Sequence, residues 1–206
     1  MSIFGRIVSG GDIEQWCIAL TRTWIDTYLS EVERQHDFVA GTLQRPRAYV
    51  TAPTLDKWPE DQLPAIIFVS VGLAEAPLKS GDGRYRARWD MGLACVCSAR
   101  RQEESRAAAM TYMAALRALF VQRPSLDQHA NGTTWEGETY DDIDYDDVRS
   151  LSAGVAHFVV EVYDVVSANA GPVTPDAPRD DPHEPYPMWP QVLTTDVDVE
   201  VVEVID

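Results

Sequence analysis

The spacing of apolar residues predicts two helices, one near the start of the chain and one near its middle. Between residues 12 and 35, apolar side chains recur every three or four positions, which is the period of one helix face. Asp12 is the expected N-cap and Gln15 its reciprocal partner. A second, alanine-rich helix is expected to open between Arg100 and Glu104, with its apolar face on Ala109, Tyr112, Met113, Leu116, Leu119 and Phe120, and to end before Pro124.

Alternation of apolar and polar residues predicts the strands. From Tyr85 to Cys97 every odd position is uncharged and mostly apolar, which is the period of a strand with one face in the core. The preceding run, 65–71, is apolar on both parities and predicts a strand buried on both faces. The two strands form an expected antiparallel hairpin. Further strands are predicted at 48–51, at 132–140 (a short strand or hairpin) and at 155–166, the last with Ser152 to Gly154 before it.

The composition changes at Ser167, where a proline-rich stretch begins that runs to Pro190. Such a stretch is typical of a stiff, extended linker. It leads to residues 195–205, in which acids alternate with valines as on a strand with one apolar face. An isolated strand is not stable, so this one must join a sheet of its own chain or of another. The sequence therefore predicts an α+β domain over residues 1–170, with an antiparallel sheet of four to five strands under two helices, and an arm over residues 171–206.

The charge of the chain argues against two classes of partner. With 17 basic and 33 acidic residues the formal net charge is −16, which disfavours a non-specific grip on nucleic acid or anionic lipid. The longest unbroken apolar run, 65–69, is far shorter than the roughly 20 residues of a membrane span. The first residues lack the apolar stretch of a secretion signal. Three cysteines fit reduced thiols in a protein made in the cytosol.

No catalytic or metal-binding pattern stands out, and we predict a protein without enzymatic activity, cofactor or metal. Cys95 and Cys97 lack the second Cys/His pair of a zinc site and are expected to be buried, as is Cys17. The four histidines are scattered. The acidic stretch from Asp141 to Asp147 departs from a calcium-binding EF-hand loop, since an acid stands where that loop needs glycine. It is interpreted as a solvated loop or as a contact surface for a basic partner.

Candidate contact surfaces for other subunits or partners come from three places in the sequence. The basic cluster after residue 83 is interpreted as salt bridges across the sheet or as a subunit interface rather than as a nucleic-acid site. The acidic stretch and the terminal strand are the other two. The candidate residues are Arg84, Arg86, Arg88, Asp141, Asp142, Asp144, Asp146, Asp147, Val197, Val199, Val201 and Val204.

The order of these elements, together with several short phrases, resembles the tail terminator proteins of long-tailed bacteriophages of actinobacterial hosts. The phrases are LPAI (63–66), GDGRYRARWDMGLACVCSA (81–99), SLD with WEGETYD (125–141) and RSLSAGVAHFVVEVYDVVSANAGP (149–172). The resemblance covers about residues 1–172; the arm has no counterpart. Head-closure and tail tube proteins of phages have related small α+β folds. The alternative interpretation is therefore a head-closure or connector protein of the phage neck. A cytosolic enzyme or small-molecule-binding protein is a distant third.

The resemblance implies a structural virion protein at the junction of tail and neck, made in the host cytoplasm. It would form a homohexameric ring that caps the head-proximal end of the tail tube and stops its polymerisation. Its implied partners are other copies of itself, the tail tube protein and a head-completion or neck protein. Double-stranded DNA would pass through the ring without specific binding, and an acidic wall would repel its phosphates.

Overall fold

The described part of the chain alternates helices and strands around one sheet. The computed structural model describes residues 8–51, 60–79, 84–143 and 150–167. The helices are α1 (Gly10–Gln35) and α2 (Gln102–Gln122). The strands are β1 (Ala48–Val50), β2 (Ala65–Leu73), β3 (Leu78–Lys79), β4 (Arg84–Ala99), β5 (Gly132–Ile143) and β6 (Ser150–Ser167), and a short 3-10 turn, Glu60–Gln62, precedes β2. The predicted α+β class with two main helices is confirmed.

The sheet is mixed, so the prediction of an antiparallel sheet of four to five strands is wrong. Its six strands run in the order β1-β2-β4-β6-β5, and β3 pairs with β4 beyond the end of β2. The β2–β4 hairpin is antiparallel as predicted, but β1 is parallel to β2. Parallel strands need a crossover connection rather than a tight turn, so the chain must cross over between β1 and β2. Leu63 at the end of that crossover packs on the sheet face opposite the helices.

Helix α1 starts two residues earlier than the predicted Asp12. Its N-cap is Ser9, whose Oγ accepts a hydrogen bond from the backbone N–H of Asp12 at 3.3 Å. In return the Asp12 carboxylate accepts the backbone N–H of Ser9 at 2.8 Å. The prediction that Asp12 is the cap itself is wrong, because its carboxylate instead fills the place that glutamate usually takes in a capping box.

Both helices pack on one face of the sheet, where the odd positions of β4 meet them. Met91, Leu93, Cys95 and Cys97 are each no more than 1% exposed, as the alternation predicted. Cys17 of α1 lies in the same cluster, so the predicted burial of all three cysteines is confirmed. A smaller apolar cluster lies on the other face and consists of Leu63, Ala65, Ile67, Val96, Leu151 and Ala153.

Strands β5 and β6 are both longer than predicted, and the extra residues change where the acidic stretch begins. The β5–β6 ladder continues to the pair Ile143 and Leu151, so Asp141 and Asp142 belong to a strand and not to a loop. Likewise Ser152, Ala153 and Gly154 lie inside β6 rather than before it. The acids are accommodated because β5 is an edge strand with one side open to solvent. The predicted arm lies outside the described residues.

Candidate interaction surfaces

Arg86 and Arg88 of β4 lie on the sheet face away from the helices and pair within the subunit. Arg86 Nη1 is 3.8 Å from a carboxylate oxygen of Glu161 on the neighbouring β6, so the predicted salt bridge across the sheet is present there. A hydrogen bond to the Tyr163 side chain and the charge of Glu161 raise the pKa of Arg86. Arg88 Nη1 is 3.5 Å from Glu75. For Arg84 only the backbone is described, and it pairs with Ser167.

The predicted acidic surface is divided between two environments. Asp142 is held inside the subunit, 3.2 Å from Arg106 Nη1 and accepting the Ser152 hydroxyl at 3.1 Å. Hydrogen bonding from Gln102 and Ser152, together with the Arg106 charge, lowers the pKa of Asp142. Asp141 is exposed on β5. The remaining predicted residues, Asp144, Asp146, Asp147, Val197, Val199, Val201 and Val204, lie outside the described residues.

Glu138 is a residue that sequence reasoning missed, and it locks β5 onto α2. Its carboxylate accepts hydrogen bonds from Arg117 Nη1 at 2.7 Å, Trp135 Nε1 at 3.1 Å and the Tyr140 hydroxyl at 2.6 Å. Burial, followed by the hydrogen bond with Glu138, raises the pKa of Tyr140 to about 12. The sequence signal for this cluster was a glutamate that lies three residues after Trp135 and two residues before Tyr140. These hydrogen bonds hold β5 against α2. The outer edge of β5 has no described strand beside it.

The two edges of the sheet carry opposite charges. Arg45 and Arg47, both exposed, come just before β1, and Arg22 lies over the ring of the β1 residue Tyr49, 5.0 Å from its centroid. We call β1 with these three arginines the basic edge. Along β5 the exposed Glu136 and Asp141 form what we call the acidic edge. Neither strand has a described neighbour on its outer side, so each can accept another strand through its main chain.

The border of β2 beyond β1 has a different, apolar character. Strand β1 pairs only with residues 65–67, which leaves the rest of β2, and β3 after it, without a described strand on that side. Val71, Leu73 and Leu78 are 68%, 48% and 45% exposed along it. We call these three residues the apolar border. Glu14 of α1 accepts the backbone N–H of Ser70 at 2.7 Å, so one amide at the start of this border is already occupied.

A cleft lies between the end of α1 and residues 36–45, with a volume of about 570 Å³. Leu29, Phe38 and Leu43 give it apolar walls, and the Arg45–Asp26 ion pair lies at its side. The buried carboxylate of Glu33 accepts the backbone N–H groups of Gly41 at 3.0 Å and Leu43 at 2.7 Å. Glu33 therefore holds the loop that leads from α1 to the basic edge.

We expect the replacement Glu33→Gln to lower stability at neutral pH and to reduce the loss of stability in acid. The N–H groups of Leu43 and Gly41 lower the pKa of Glu33. A lowered folded pKa contributes stability above the unfolded value of about 4.3, and this is lost as the pH falls through the folded value. Urea unfolding at a series of pH values between 7 and 3 measures the difference between variant and parent, which should shrink as the pH falls. The matched control is Glu103→Gln, an exposed carboxylate. An equal effect of both variants at every pH would contradict the role of Glu33.

The described residues hold no group of three or more side chains that could bind a metal ion. A hydrogen bond with Cys97 and burial raise the pKa of the Cys95 thiol, and burial raises that of Cys17, so both favour the neutral, unreactive form. Among the described residues no helix is both long enough and apolar enough to cross a bilayer.

Comparison with known proteins adds no relative to this description. No family of known proteins matches the chain, and no curated protein is significantly similar to it.

Proposed function

We propose that this chain is a structural subunit of a phage tail terminator ring, which caps the head-proximal end of the tail tube and joins it to the neck. The observation that carries the proposal is the pair of open sheet edges with opposite charge. The basic edge of one copy and the acidic edge of the next are complementary, whereas two like edges would repel. A contact between different surfaces is heterologous, and copies joined in this way close into a ring when the rotation permits.

The charges that remain available support this joint. Among the described contacts, the Arg47 guanidinium donates a hydrogen bond to the neutral Gln44 side chain at 3.3 Å, and the Arg47 backbone N–H donates to the Pro64 carbonyl at 2.8 Å. On β5 Glu138 and Asp142 pair with arginines of α2, although Asp142 remains 45% exposed, and Glu136 and Asp141 are exposed. The ion pairs with α2 fix the position of β5 within the subunit. In the proposed joint, the exposed acids of β5 favour contact with the basic edge of the next copy. The number of six subunits, and the tube and neck proteins as partners, come from the resemblance to terminators.

In such a ring the sheet edges of neighbouring copies lie side by side. The net charge of −16 disfavours capture of the phosphates of double-stranded DNA passing through the lumen. The role is therefore one of shape and contact, in a virion protein without a catalytic step.

A charge swap between the edges tests the joint. We expect Arg47→Glu, and separately Glu136→Lys with Asp141→Lys, to impair assembly, because each places like charges across the contact. Combining the three substitutions should restore assembly, at least in part, because the attraction is then reversed but intact. Arg101→Glu at the N-cap of α2 changes an exposed arginine that belongs to neither edge strand and serves as the control.

The measurement is electron microscopy of the purified protein mixed with tail tubes, and of particles made when each variant replaces the parent. Loss of a terminator gives tails of uncontrolled length, and this is the expected phenotype of either edge variant. Tails of normal length beside leaking heads would point instead to the head-closure role and overturn the terminator proposal. Normal rings from both edge variants would overturn the joint alone.

A further inference from the structure

We propose that β5 of one copy pairs antiparallel with β1 of the next copy, so that the last residues of β5 meet the first residues of β1. The inference rests on the proposed ring joint and adds the direction of that joint and its apolar contact, which is Ile143 beside Ala48 of the next copy. It is carried by the strand directions of the sheet and by the face on which these two side chains lie.

Within one subunit the two outermost strands run in opposite directions. Strand β1 is parallel to β2. Each of the next three pairings across the sheet, β2 with β4, β4 with β6 and β6 with β5, is antiparallel. Three reversals leave β5 pointing opposite to β1.

A ring of more than two copies preserves this relation. Strands of neighbouring copies can share main-chain hydrogen bonds only when they lie side by side and nearly in line. A rotation smaller than a half-turn keeps them in line only when its axis runs along the strands. Such a rotation leaves the direction of β5 unchanged. Strand β5 of one copy is therefore antiparallel to β1 of the next.

The register within the sheet brings particular residues to the same height at the two edges. One row of paired residues crosses the whole sheet and consists of Ala48, Ala65, Val96, Ala153 and Asp141. A rotation about an axis along the strands keeps the height of this row, so its Asp141 end in one copy meets its Ala48 end in the next. Ile143 is two residues beyond Asp141 and is the diagonal neighbour of that Ala48.

The side chains at this contact share an apolar face. Ile143 is paired with Leu151, a buried member of the cluster on the sheet face opposite the helices. At the other edge, Ala48 and Val50 pack against the same cluster from β1. Ile143 is 37% exposed in the single subunit, and packing beside β1 of the next copy removes this apolar surface from water.

Charge agrees with the antiparallel direction. Arg47 immediately precedes Ala48, and Asp141 is the exposed acid at the matching end of β5. Glu136 lies five residues earlier on β5, towards the end that a parallel pairing would bring to the start of β1. The antiparallel joint therefore places Asp141 closer to the basic edge than Glu136, and opposite charges near each other favour the contact.

Cross-linking of introduced cysteines tests the direction. A variant with Ile143→Cys and Ala48→Cys is treated with a short crosslinker that joins two thiols, with and without tail tubes. We expect a ladder of linked chains on a denaturing gel, because each copy carries one cysteine at each edge. The matched control is Thr134→Cys with Ala48→Cys, which uses an exposed residue near the other end of β5 and should give no ladder. The three native cysteines are buried.

A second variant tests the apolar contact. We expect Ile143→Ser to raise the protein concentration needed for half-maximal ring formation about tenfold, since the serine buries less apolar surface in the joint. Val121→Ser is the control, because Val121 is also exposed but belongs to neither edge strand. An equal effect of the two variants would contradict the contact of Ile143.

The outcomes of cross-linking separate this inference from the proposed function. A ladder from the Thr134 pair instead of the Ile143 pair overturns the antiparallel direction and leaves the joint between β1 and β5 standing. Rings in the electron microscope without a ladder from either pair overturn the joint and the direction together, as does the absence of any ring. A ladder from the Ile143 pair supports the direction even when the tails of the virus particles show that the terminator role is wrong.

Discussion

Replacing Phe158 by alanine is expected to lower the free energy of unfolding by about 3–5 kcal/mol, the usual range for a phenylalanine lost from a core. Phe158 on β6 is 1% exposed and lies at the centre of an aromatic cluster. Its ring centroid is 5.1 Å from that of Phe120 and 5.9 Å from that of Trp135, and Phe68 contacts Phe120 at 5.8 Å. The cluster joins β2, α2, β5 and β6, so a cavity there weakens contacts of four elements.

The measurement is urea or thermal unfolding of the purified variant. For a domain of this size, a loss of 3–5 kcal/mol corresponds to a fall in the melting temperature of about 6–20 °C. Because small domains are stable by only about 5–15 kcal/mol, part of the variant protein can be unfolded at 37 °C. Phe38→Ala removes the same atoms from a ring that is 43% exposed and is the control. A similar loss in both variants would contradict the special role of the buried cluster.

The sequence predicted the elements whose pattern is long and regular. Apolar residues recur many times at the odd positions of β4 and along one stripe of α2. Such a long pattern predicts that the apolar face of each element is buried. The buried β2 was predicted by its composition and its bounding Pro64 and Gly72. Strand β2 is buried on both faces from Ala65 to Phe68 as predicted, but the prediction is wrong for its second half, where Val71 is 68% exposed.

The features that the sequence did not predict depend on partners distant along the chain. Strand β1 runs parallel to β2, which requires a crossover between them. The three residues of β1 do not indicate in the sequence which way the strand runs in the sheet. Strand β3 has two residues, both exposed, and is defined only by its pairing with β4. The end of β5 reads as an acidic loop until Arg106 is seen beside Asp142. Local charge predicts solvation there, and the Asp142 side chain is 45% exposed, but its pairing with Arg106 depends on the tertiary structure.

The candidate contact surfaces divide in the same way. The arginines of β4 were conspicuous as a cluster, yet Arg86 and Arg88 pair with Glu161 and Glu75 within the subunit. The charges that distinguish the sheet edges, such as Arg47 and Glu136, are single residues in unremarkable sequence. Their significance arises only from the strand order, which makes β1 and β5 the two outermost strands.

Gly154 provides the second large effect, since no side chain fits between β6 and α2 at its position. A Cβ atom there would lie 2.3 Å from Cγ and 3.1 Å from Sδ of Met113, and 3.3 Å from Cε1 of Tyr140. Met113 is fully buried, so it cannot move aside into solvent. We expect Gly154→Ala to cost about 1–3 kcal/mol, the usual range for overpacking, and Gly154→Val to cost more.

Two further variants separate overpacking from the general effect of replacing a glycine. Gly92→Ala on β4 is the matched control, because its added Cβ would meet only the Val69 carbonyl oxygen at 3.8 Å, an ordinary contact. Met113→Ala alone should cost about 2–5 kcal/mol as a core truncation, but the double variant should lose less than the sum of the two single losses, since it removes the atoms that collide. A double-mutant cycle from urea unfolding measures this coupling, expected at about 0.5–3 kcal/mol in the rescuing direction. If the two substitutions are simply additive, α2 does not pack on β6 as closely as the 2.3 Å approach requires.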